Sequence, residues 1–133
     1  MEIKKWPLFL IPPVILLMLI SVLISFKATS RTEVEAESAI LIGGAKKIPN
    51  KEASGRYLVR LAGPGEEIRF QKLPSSRRLA IRYAGMGTGT ISVSVNDLPS
   101  IKVNVHSSGD SVSSFLNAII DIIIPENANI KIK

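Results

Sequence analysis

An all-β domain of about eight short antiparallel strands, preceded by one apolar membrane-type segment, is the architecture the sequence predicts. Three observations predict it. Residues 6–26 hold no charged side chain and are mostly Leu, Ile, Val, Phe and Met. Beyond residue 32 the apolar residues change from a continuous run to alternation with period two, which gives strands one inward and one outward face. Gly, Pro, Asn, Asp and Ser cluster between these stretches, and no window carries the period of a soluble amphipathic helix. Many short strands joined by turns, with no helical crossovers, make a sandwich or a barrel.

Residues 1–30 form the first unit. Its apolar run, 7–26, is 20 residues long, about what a helix needs to cross ~30 Å of hydrocarbon at ~1.5 Å per residue. Lys4 and Lys5 precede the run and Trp6 stands at its edge. Positive residues are retained on the cytoplasmic side and an indole suits the interface. The N-terminus is therefore expected inside and the C-terminal domain outside, with Lys27 and Arg31 weakening the asymmetry. A cleaved signal peptide stays open beside an uncleaved anchor. Ala28-Thr29-Ser30 offers a small-x-small cleavage site, and Pro12-Pro13 leaves only about 14 apolar residues of regular helix after it. The 20-residue run favours the anchor, and either reading exports the domain to the cell surface or periplasm.

The remaining residues, 31–133, suit one domain and leave no room for a second. The absence of cysteine removes disulfides, thiolate zinc sites and thiol nucleophiles together. The net charge of +6 divides into +2 on residues 1–30 and +4 on residues 31–133. In that domain only Lys46-Lys47 and Arg77-Arg78 are adjacent basic pairs, and no basic helix appears, which argues against a nucleic-acid partner.

Strands are expected near 34–38, 56–62, 66–70, 118–124 and 130–132, besides three that alternate cleanly. In those three, Leu79, Ile81 and Tyr83 alternate with Arg78, Ala80 and Arg82; Ile91, Val93 and Val95 with Ser92, Ser94 and Asn96; and Ile101, Val103 and Val105 with Lys102, Asn104 and His106. The joints include Gly43-Gly44, Gly63-Pro64-Gly65, residues 85–89 and Asn96-Asp97. Ile119 to Ile124 is apolar at both parities apart from Asp121, so a central strand covered on both faces is expected there.

The order of several short motifs carries a resemblance. Val34-Glu35-Ala36-Glu37-Ser38 comes first, then Gly43-Gly44-Ala45, Ala53-Ser54-Gly55-Arg56-Tyr57-Leu58, Ile81-Arg82-Tyr83-Ala84, Val95-Asn96-Asp97 and Asn129-Ile130-Lys131-Ile132. Over 33–132 the chain resembles the family 6 and family 35 carbohydrate-binding modules. The resemblance implies a β-jelly-roll sandwich that binds a polysaccharide or other glycan without catalysis, often with a structural calcium ion near the first strand.

Glu35 and Glu37 are the metal candidates. In a strand they share a face, and paired carboxylates suit calcium, which takes about 6–8 oxygen ligands. The family's further ligand, an Asp on a later strand, corresponds to no position up to Lys133. Arg60 and Asp110 are the sugar candidates. Arg60 stands where the family carries a stacking tyrosine, and Asp110 lies in the late loop, 107–111, which has no aromatic residue. Of the domain's aromatics, Tyr57, Phe70 and Tyr83 fall on apolar faces and are expected in the core.

Catalysis is not expected. A strand rather than a helix follows the glycines of 85–89, so no helix end supplies amides to a phosphate. His106 is the only histidine and has no supporting triad motif. Glu66 and Glu67 are adjacent and point to opposite faces, unlike the facing carboxylates of a glycosidase. Arg56, Arg60, Arg69, Arg78 and Arg82 are expected to point outward, where they pair with Glu66, Glu67 and solvent or receive an anionic polysaccharide or a lipid headgroup. A second reading is a structural or adhesion subunit that meets a partner protein and holds no sugar.

Overall fold

The computed structural model describes residues 31–109 and 113–133. Among them are nine strands and a single 3-10 turn, Ala36–Ser38. The strands are β1 (Ile40–Ile42), β2 (Lys46–Pro49), β3 (Tyr57–Arg60), β4 (Glu67–Leu73), β5 (Ser76–Tyr83), β6 (Gly89–Val95), β7 (Ile101–Val105), β8 (Leu116–Ile124) and β9 (Ala128–Ile132). They form a five-stranded sheet in the order β1-β4-β9-β6-β7 and two ribbons, β2-β3 and β5-β8, and every pairing is antiparallel.

Period-two alternation builds the core. On the five-stranded sheet Ile68, Val93, Val95, Ile130 and Ile132 share one buried face, since Val93 and Ile68 both register with Ile132 and Val95 with Ile130. The inward residues of the β5-β8 ribbon, Leu79, Ile81, Ile120, Ile122 and Ile124, close over that face. The two layers make the antiparallel sandwich that the alternation predicts. Turn residues match their conformations: Asn96 and Asp97 both have positive φ, 47° and 61°, and Leu98 N–H donates to the Val95 carbonyl at 2.9 Å. This is the backbone of a type I′ turn, which Asn and Asp tolerate better than most residues.

Several expectations change. Residues 34–38 are not a strand; Glu35 is extended and the chain then coils through Ala36–Ser38, with the Ser38 and Ala39 amides donating to the Glu35 and Ala36 carbonyls. Two strands that alternation did not reveal, β1 and β2, are only three and four residues long, too short to display a period. Ile119 to Ile124 is not covered on both faces. Ile119 and Ile123 are 65% and 77% exposed, because β8 pairs only with β5 and nothing among the described residues packs on its outward side. Of the aromatics, Phe70 packs against the core, whereas Tyr57 is exposed. The apolar segment 7–26 lies outside the described residues, and no helix among the described residues is long and apolar enough to cross a membrane.

Candidate functional site

The carboxylates of Glu35 and Glu37 converge although their segment is not a strand. The 3-10 turn brings Glu37 back beside Glu35, and the loop between β2 and β3 supplies the opposing surface. Asn50 organises that loop: its side-chain oxygen accepts from the amides of Glu52 and Ala53 at 2.9 and 3.1 Å, and its own amide donates to the Arg56 carbonyl at 2.9 Å. This is an Asx turn, the local bonding that makes Asn common in tight loops. It presents Ser54 and Gly55 to the two glutamates.

Ser54 Oγ donates to Glu35 Oε2 at 3.1 Å. Gly55 allows the close approach: a Cβ there would lie 1.9 Å from Glu37 Oε1 and 3.4 Å from the Glu35 carboxyl carbon. Both carboxyl groups thus flank one point on the loop backbone, with Glu37 half-buried and Glu35 exposed. Two carboxylates offer at most four oxygens, and among the described residues no third acidic or histidine side chain joins them in a metal-ligating cluster. The pair suits a hard cation only as a partial shell, with carbonyls and water completing it. Gly55 and Asn50 are parts of this site that the glutamate motif alone does not reveal. Their signal is the turn chemistry of 49–55, which reads as a joint until the fold sets it against residue 37.

Arg60 is exposed at the end of β3 remote from Gly55, so it is not gathered with the glutamates. It registers opposite Lys46 of β2. Asp110 lies outside the described residues. The late loop just before it is tied down, since the Ser108 amide donates to the Gly85 carbonyl at 2.8 Å and the Gly85 amide donates to Ser108 Oγ at 3.0 Å.

The expected outward arginines divide by partner. Arg78 pairs with Asp121 at 2.9 Å, and the Arg82 guanidinium sits 4.4 Å from the Phe115 ring centre. Arg56 has positive φ in the turn before β3. Arg69 departs from expectation, since it is half-buried and gives two hydrogen bonds, 2.9 and 2.7 Å, to Oε1 of the buried Glu67. Lys133 Nζ reaches the other Glu67 oxygen at 3.3 Å. Burial alone would raise the Glu67 carboxyl, but the hydrogen bonds and charges of Arg69 and Lys133 outweigh it and hold the group below the usual carboxylate range. Glu67 is thereby committed to structure.

No family model matches the sequence, and no curated protein matches it. Solved structures do match in fold. A family 35 carbohydrate-binding module from Clostridium thermocellum aligns with TM-score 0.69 and 20% identity, over 77% of this chain and 86% of the module. An exo-beta-1,3-galactanase from Phanerochaete chrysosporium, solved with galactose, aligns with TM-score 0.69 and 22% identity, over 77% of this chain. A Paenibacillus cycloisomaltooligosaccharide glucanotransferase, complexed with cycloisomaltoheptaose, aligns with TM-score 0.61 and 22% identity, over 74% of this chain. The chain spans 25% and 15% of the length of those two enzymes. At these identities the likeness is one of fold, and the fold is the jelly roll of carbohydrate-binding modules.

Proposed function

We propose that this chain is a non-catalytic glycan-binding module, exported and held at the membrane by residues 7–26. The observation that carries the reading is the jelly roll shared with a family 35 module over 86% of that module's length. Arg60 and Asp110 contact the sugar, and Glu35 and Glu37 contribute to a structural calcium site against Gly55. The glutamates of the site do not form a glycosidase pair: Glu67 is held by Arg69 and Lys133, and Glu35 and Glu37 flank the same backbone at Gly55 rather than facing each other across a cleft. The test is retention on a panel of polysaccharides. Binding that falls in Arg60→Ala and weakens in chelator supports the reading, and no binding to any neutral or acidic polysaccharide overturns it.

One observation favours the second reading, a structural or adhesion subunit. The outward face of β8 shows Ile119 and Ile123 to solvent, and exposed apolar side chains of this size suit a protein contact. Co-purification of a stoichiometric partner that is lost in Ile123→Lys supports it. A strictly monomeric protein with measurable sugar affinity counts against it.

A further inference from the structure

The positive charge of the domain is concentrated in one element. Residues 46–60 carry Lys46, Lys47, Lys51, Arg56 and Arg60 against Glu52 alone, whereas the rest of 31–133 balances nine cations with nine anions. The whole +4 of the domain therefore lies on the β2-β3 ribbon and its loop. Lys46 and Arg60 are Cα partners in the antiparallel register, so both side chains project from one face, and both are exposed. Like charges placed directly opposite one another destabilise a ribbon. Among the described residues neither has an acidic side chain within ion-pair distance. Lys47, on the other face, covers the Tyr57 ring at 4.2 Å.

We propose that the Lys46-Arg60 face of the ribbon is a docking site for an acidic polysaccharide, whose carboxylates supply the counter-charge the fold leaves out. The inference rests on the carbohydrate-binding reading and adds to it the chemical class of the ligand. An arginine fork beside a lysine suits a carboxylate, and Lys51 and Arg56, exposed in the loop at the other end of the ribbon, offer further cations to a linear polymer. A nucleic acid fits less well, since single-stranded bases need open aromatic faces and Lys47 covers the ribbon's one ring.

The experiment uses the full chain in non-ionic detergent, calcium-free, with alginate and its neutral propylene-glycol ester as probes. Binding to alginate is expected, with the ester and the Lys46→Glu variant each weaker by about tenfold or more, as for loss of a charge-assisted contact. Lys46→Glu is also expected to raise the thermal midpoint by roughly a few degrees, because an opposite-charge pair replaces a like-charge one. Unchanged alginate binding in Lys46→Glu, equal binding of alginate and ester, or tighter binding of duplex DNA than of alginate overturns the proposal. If those results come with retention on any neutral glycan, the carbohydrate reading stands without this site. If no glycan is retained, both fall.

Discussion

Glu67 and Gly55 show how much a single position decides. Glu67 is buried on β4, and Arg69 and Lys133 neutralise it. Its carboxyl is held below the ordinary value, so its contribution is fully present above the unfolded value of about 4.3 and is lost as pH falls through the folded value. Denaturant titrations at stepped pH should show stability declining below about pH 4.3, and Glu67→Gln should flatten that decline. The same variant should lose about 1–2 kcal/mol at neutral pH, a partly exposed pair being worth less than a fully buried one. Gly55→Ala probes the carboxylate pair. The added methyl displaces the Glu37 carboxylate, so a calcium-dependent rise in thermal midpoint, expected in the parent chain from binding linkage, should shrink in Gly55→Ala and vanish in Glu35→Gln/Glu37→Gln. A calcium response unchanged by these substitutions would remove the pair from any metal site.

At the scale of elements, β8 and β9 make a contrast that stability measurements can read. Ile130 of β9 is 1% exposed at the centre of the core, whereas Ile123 of β8 is 77% exposed. Ile130→Ala should therefore cost about 2–5 kcal/mol, and Ile123→Lys should change stability by no more than about 0.5 kcal/mol. Chemical denaturation of the two variants checks both. The elements also divide by how legible they were. β5, β6 and β7 alternate over five or more residues with one apolar face each, so their period was visible. β1 and β2 are too short to show one. The turn at Ala36–Ser38 escaped because Glu-Ala-Glu alternates as a strand would, while Ser38 Oγ and the Ser38 amide both bond the Glu35 carbonyl and close the chain into a 3-10 turn. The exposure of Ile119 and Ile123 was hidden because six residues apolar at both parities look the same whether or not a second layer covers them.

At the scale of the whole domain, the described residues combine a sandwich core with two surface features separated along the β2-β3 ribbon: the glutamates against Gly55 before β3, and the Lys46-Arg60 pair at its far end. The glutamate pair was legible as residue types, and its meeting with Gly55 was not, since a contact 18 residues apart depends on the fold. The ribbon's charge was visible in composition, but its like-charge register emerges only from strand pairing. The proposed glycan binding would join these features to the fold shared with a family 35 module. The most direct measurement is affinity electrophoresis of the full chain through gels containing neutral or acidic polysaccharides, with Arg60→Ala alongside and each lane repeated in chelator. The expected result is retardation by at least one polysaccharide, reduced about tenfold or more in Arg60→Ala, as for loss of a charge-assisted contact. Unretarded migration through every polysaccharide would contradict the account.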